Sequence, residues 1–182
     1  MKKEAIVINI SGGPGVGKSI LASDVFSALK RMSISCELSS EYIKRKLRED
    51  ARKVIQNQIY IFAKQQFQLF GMKDNVRVII TDSPIFLSAV YDDSRCEFLK
   101  GLIMKEYGNY KNLTYYIERD DNVPYEQEGR FQDHAGAKLV DTKVKDFMDD
   151  NNIEYKTIKG IGKESLDTII NDAVKAMDLI PA

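Results

Sequence analysis

The sequence predicts a three-layer α/β/α fold, with a five-stranded, mostly parallel sheet covered by helices on both faces. Three observations predict it. Apolar runs of strand length alternate with segments of helical periodicity along the whole chain. The first run, AIVINI at residues 5–10, is continuously apolar, as a strand buried on both faces must be. The stretches that suit neither strand nor helix fall directly after strands, where open parallel sheets bind their ligands.

The elements follow in order. Residues 18–32 read as a helix with Leu21, Val25, Leu29 and Met32 on one side. SISCEL (33–38) is a short strand. The charged stretch 41–52 reads as helical, and 53–71 as a stronger helix ending at Gly71. VRVIIT (76–81) is a strand, and 85–107 reads as two helical pieces. LTYYIE (113–118) is a strand, followed by a polar, irregular stretch over 119–134. Residues 135–150 form a helix through Val140, Val144, Phe147 and Met148. IEYKTI (153–158) is the last strand, and the final helix carries Leu166, Ile169, Ile170, Ala173 and Met177.

Length and charge narrow the function. A chain of 182 residues reads as one domain, 1–182, large enough to bury a substantial core. Its 27 basic residues balance its 27 acidic ones, which disfavours a protein that coats nucleic acid by charge alone and leaves room only for a local basic patch. Cys36 and Cys96 lack metal-ligand spacing, and a reduced, cytoplasmic protein is expected. No signal-peptide pattern is present, and no segment approaches the roughly 20 apolar residues of a membrane span.

The first strand runs into Gly12-Gly13-Pro14-Gly15-Val16-Gly17-Lys18-Ser19, which fits G-x-x-x-x-G-K-[ST]. Glycines let backbone N–H groups turn inward as an anion-binding nest, and the following helix adds its positive end. Lys18 supplies a mobile cation for the β- and γ-phosphates, and Ser19 a hydroxyl ligand for Mg²⁺. The expected cofactors are ATP and Mg²⁺, held on residues 12–19 with Ile20 next in the helix. The strand VRVIIT leads to Asp82-Ser83-Pro84 with no Asp-x-x-Gly, and Asn-Lys-x-Asp is absent, which argues against a GTPase. A ring-forming motor usually carries an added helical domain that this length does not comfortably hold. A compact phosphotransferase remains.

GGPGVGKS, SSEY, IITDSP and EGR, in this order, resemble the small P-loop kinases related to the ribosylnicotinamide kinase domain of NadR, together with related bacteriophage P-loop kinases. The resemblance covers most of the chain. It implies a nucleoside- or nucleotide-kinase-like fold with a mobile lid, and a cytoplasmic site of action (the host's, for a phage protein). It also implies that the end of the second strand faces the phosphate acceptor, and that the loop at Gly160 touches adenine. The substrate stays open between a nucleoside- or nucleotide-like small molecule, which is favoured, and hydroxymethylated pyrimidines in DNA. A nucleotide-dependent switch with no acceptor is the rival from another class.

Each remaining candidate has a plainer alternative. Asp82 can hold Mg²⁺ through water or accept the attacking hydroxyl's proton; it or Ser83 can also cap a helix. Glu41 is the other candidate base, or an anchor for a sugar hydroxyl, and otherwise belongs to a capping arrangement with Ser39 or Ser40. Arg130, in EGR, is the expected lid arginine and Arg119 the second, closing over charge that spreads on the γ-phosphate; otherwise both pair with the loop's carboxylates. His134 reads as an exposed helix-start residue. In helix 53–71, Ile55, Ile59, Phe62, Ala63, Phe67, Leu69 and Phe70 share a broad face with Gln66 near its middle. A buried amide needs a partner, so Gln66, beside Phe62, is expected either to read a substrate base or to bond the backbone. Lys44, Arg48 and Arg52 align at i, i+4, i+8; the strip is a solvated face or, through Arg48, a phosphate contact.

Overall fold

In the computed structural model the described residues are 5–39, 56–120 and 133–178. Five strands, β1 (Ile6–Ser11), β2 (Cys36–Ser39), β3 (Val78–Thr81), β4 (Lys111–Glu118) and β5 (Lys156–Lys159), form one sheet in the order β2-β3-β1-β4-β5. Every neighbouring pair is parallel. The described helices are α1 (Lys18–Arg31), α2 (Gln58–Met72), α3 (Leu87–Val90), α4 (Glu97–Tyr107), α5 (His134–Asp150) and α6 (Lys163–Asp178).

The sheet separates two cores. On one face Ile6, Ile8 and Ile10 pack with Leu21, Val25 and Leu29 of α1 and with Ile169 and Ala173 of α6. On the other, Val7, Ile79 and Tyr116 meet Phe62 and Leu69 of α2, Phe86, Ile103 of α4, and Val144 and Met148 of α5. All six residues of β1 are buried, as its unbroken apolar run requires.

Most expected elements are present with shifted ends. The second strand starts three residues late, because Ser33 takes a left-handed turn (φ 58°) out of α1. The expected helix 53–71 is described from its cap onward: Asn57 Oδ1 accepts the Tyr60 N–H at 3.0 Å, and the helix continues through Gly71 to Met72. Asp133 caps α5 through the Gly136 N–H, which leaves His134 exposed at the first turn, as expected. The expected helix 41–52 lies outside the described residues, as do Glu41, Arg48 and Arg130.

Register positions the site. Asn9 pairs with Thr81 on one side of β1, and Ser11 with Tyr116 on the other. The central strand therefore delivers its glycine-rich loop between Asp82, just past β3, and Arg119, just past β4. That crevice, outside the carboxyl ends of the strands, is where such sheets bind ligands.

Candidate active site

The loop from Gly12 to Gly17 ends in a glycine that only glycine can be. Gly17 has φ 90°, and a Cβ there would lie 2.6 Å from Ile161 Cγ2. It starts α1 with no side-chain cap and no acidic residue in the first turn, so the orphan N–H groups and positive end of the helix suit an anion. Lys18 Nζ bonds back to the carbonyls of Gly12 (2.8 Å) and Gly13 (2.7 Å). Gly15 is exposed at the loop's apex, Val16 packs against the first core, and Ile20 is exposed in the first turn of α1. Gly160 makes a left-handed turn (φ 63°) with open space around its Cα. The turn brings the neighbouring Ile161 onto Gly17.

The two expected metal ligands are brought together. Ser19 Oγ donates to Asp82 Oδ2 at 2.5 Å, and Asp82 is buried. A hydroxyl and a carboxylate oxygen are hard ligands, the kind Mg²⁺ uses when substrate phosphates and water complete its shell. Among the described residues no group of three His, Cys, Asp or Glu could hold a metal unaided. The residues thus fit Mg²⁺ bound with a nucleotide.

Gly13 behaves differently from the inward-turned nest expected of it. Its N–H donates to Asp141 Oδ1 on α5 at 2.8 Å, and a Cβ would lie 2.2 Å from that oxygen and 2.9 Å from the Ala137 carbonyl. Arg119 completes the contact: Nε donates to Asp141 Oδ2 at 2.5 Å and Nη2 to the Pro14 carbonyl at 2.7 Å. Both charged side chains are about nine-tenths buried (10% and 12% exposed). Arg119 therefore grips the outer side of the phosphate loop, a loop-supporting contact that the expectation of a second lid arginine did not include. Its charge was plain in the sequence; its carboxylate partner lies 22 residues further on.

On the β3 side the expected glutamine is replaced by its neighbour. Gln65 is buried; its Nε2 donates to Ser83 Oγ at 2.6 Å, and Ser88 Oγ reaches its Oε1 at 3.5 Å. Ser83 N–H is held by Thr81 Oγ1. These groups, with Gln58 and Tyr91, line a small cleft that also touches Lys18 and Asp82. Gln66 instead faces α4, donating to Glu106 Oε2 at 3.2 Å. Phe62 is a core residue, while Ile59, Phe67 and Phe70 are exposed. The helix is apolar on most of its circumference, so periodicity chose a face about 100° from the one that docks. Packing buries Gln58, Ile61, Phe62, Gln65 and Leu69.

Asp141 was missed as well. A signal existed: it shares the buried stripe of Ala137, Val140, Val144 and Met148, where a carboxylate demands a partner. Nearby, burial first and the Asp141 carboxylate second push the Tyr116 hydroxyl up to about 12. That hydroxyl donates to the Asp141 carbonyl at 3.3 Å.

A parallel sheet in the order 2-3-1-4-5, with a lysine-bearing glycine loop after its central strand and a Ser–carboxylate pair beside it, defines a P-loop nucleotide-binding domain. The family comparison agrees: residues 7–164 match the model described as an AAA domain, and the chain belongs to that family. No curated protein matches it. Membership of this P-loop family implies nucleotide binding together with hydrolysis or phosphoryl transfer. Among the described residues no helix is long and apolar enough to cross a membrane.

Proposed function

We propose that the protein is an ATP-dependent kinase that moves the γ-phosphoryl group to a hydroxyl of a nucleoside- or nucleotide-like acceptor. One observation carries the reading. Lys18 and Asp82 line, together with Gln65, Ser83, Ser88 and Tyr91, a polar cleft on the acceptor side of the phosphate loop. The amide of Gln65 and the hydroxyls of Ser83 and Ser88 can orient a nucleophilic oxygen there, and the labelling panel below decides whether it belongs to an acceptor or to water. A kinase needs hydrogen-bonding groups that orient one hydroxyl next to the transferring phosphate.

The roles follow from the chemistry. Loop amides and the start of α1 hold the polyphosphate, and Lys18 leaves the Gly12 and Gly13 carbonyls to neutralise phosphate oxygens. Ser19 and Asp82 would hold Mg²⁺, which when bound shields phosphate charge. The acceptor oxygen bonds to phosphorus as the bond to the β-phosphate oxygen breaks, and ADP leaves. The acceptor's proton passes to Asp82 or to Glu41. The transition state is loose, so alignment and charge neutralisation matter more than the strength of that base. The roles of Glu41, of Arg48 and of Arg130 as a closing arginine rest on their sequence context.

The test is incubation with γ-labelled ATP and a panel of nucleosides, nucleotides, ribosylnicotinamide and hydroxymethylated DNA. Labelled nucleoside or nucleotide is the expected product. Label transferred to DNA, with binding that weakens steeply as salt rises, would replace the small acceptor by a polymer. Label released only as free phosphate across the panel would leave a nucleotide-dependent switch and end the kinase reading.

A further inference from the structure

We infer that Asp141 and Arg119 form a charge-neutral clamp behind the phosphate loop, and that Arg119 is there to cancel a carboxylate that would otherwise repel nucleotide. Asp141 is a positioning residue. It takes the Gly13 N–H out of the set of amides open to phosphate and presses the loop's first half onto α5. That contact puts a buried anion one hydrogen bond from a loop built to bind anions. Left uncancelled, such a charge would repel a polyphosphate several ångströms away, across a crevice that is open to solvent at Gly15 and Ile20. Arg119 answers it with two hydrogen bonds to the carboxylate and a third to the Pro14 carbonyl. The three groups draw on β1's loop, the end of β4 and the middle of α5, so the clamp fixes the loop against both elements that flank it on this side.

The inference rests on nucleotide binding at the loop, and it makes an asymmetric prediction. Arg119→Met leaves Asp141 uncancelled. Asp141→Asn keeps an acceptor for Gly13 but releases a guanidinium close to the phosphates. The experiment is calorimetric titration of the full chain with Mg-ATP at low and high salt, with thermal melts run alongside. Arg119→Met should weaken binding about tenfold at low salt, and the deficit should shrink as salt screens the bare carboxylate. Asp141→Asn should tighten binding by about threefold, again less so at high salt. Arg119→Lys keeps the charge without the fork geometry and should lose less than Arg119→Met, which keeps the test decisive if the methionine variant folds poorly. Equal, salt-independent losses for Arg119→Met and Asp141→Asn would reduce the clamp to packing and overturn the inference. So would an Arg119→Lys deficit as large as that of Arg119→Met. Absence of heat with the wild-type protein would instead remove nucleotide binding itself, and the clamp with it.

Discussion

The two flanks of the phosphate loop are built from different materials. On the β4 side, Asp141 and Arg119 hold Gly13 and Pro14 through charged hydrogen bonds as short as 2.5 Å, with no room for a Cβ at Gly13. On the β3 side, Gln65, Ser83 and Ser88 make a neutral chain that loosens to 3.5 Å at its far end. The first flank is held by charge and close packing, the second by neutral side chains with rotatable amides and hydroxyls. A polyphosphate is the same in every turnover and suits a fixed cradle. On the kinase reading proposed above, an acceptor must be told from its analogues, and buried hydrogen-bonding groups that go unpaired with the wrong ligand do that well.

The sharpest way to break this division is at the residue that touches both flanks. Lys18→Ala should abolish phosphoryl transfer, with a loss of at least about 100-fold in turnover. Its melting temperature should fall only modestly, since the amine's described bonds are two part-buried ones to carbonyls of its own loop. A variant that keeps activity would place the chemistry elsewhere. Gln65→Leu tests the neutral flank alone. It removes the amide between Ser83 and Ser88 and should cost about 1–3 kcal/mol of stability by leaving those hydroxyls short of a partner. Steady-state kinetics should show the acceptor KM rising several-fold with the ATP KM unmoved. Equal rises in both would mean that the two flanks are not separate.

The same division governs what could be read in advance. The phosphate loop is contiguous, and its chemistry depends on backbone and spacing, so residues 12–19 declared it. Asp82 was legible because a carboxylate closing an apolar strand is out of character there. The flanking contacts are tertiary. Gly13 and Asp141 are 128 positions apart, and nothing local to either names the other. In α2 the obstacle was rotation: with Ile59, Ile61, Phe62, Phe67, Leu69 and Phe70 spread round the helix, the docked face follows from which side meets Ile79 and Phe86. Gln65 and Gln66 differ by one position and by their whole environment.

Titratable groups near the two flanks differ in the sign of their pH response. Burial is the main cause that raises Tyr107 and Tyr116 to about 12, above an ordinary value of 10.0. Tyr116 bonds the Asp141 carbonyl, so it belongs to the charged flank. The folded state keeps these protons where the unfolded chain gives them up. The stability they contribute is complete below about pH 10 and is lost as pH climbs toward about 12. Denaturant midpoints measured from pH 8 to 12 should stay level and then fall, with Tyr116→Phe flattening part of the fall.

The smallest effect lies on the other side, just past the cleft residue Tyr91. Asp92 Oδ1 accepts from Ser94 Oγ at 2.7 Å, and Oδ2 from the Cys96 N–H at 2.9 Å. The Ser94 bond first, then the Cys96 bond, holds the carboxyl below its ordinary 3.8. Here the sign reverses. The folded state binds fewer protons than the unfolded chain, so the contribution is present above about pH 4 and disappears as pH falls through the lowered value. The residue is half-buried with the carboxylate close to solvent, and screening keeps its worth under about 1 kcal/mol. Asp92→Asn should therefore shift the midpoint slightly at pH 7, and the shift should shrink as pH falls below about 4. A shift that persists in full at pH 2 would trace the effect to the turn's shape instead of the carboxylate's charge.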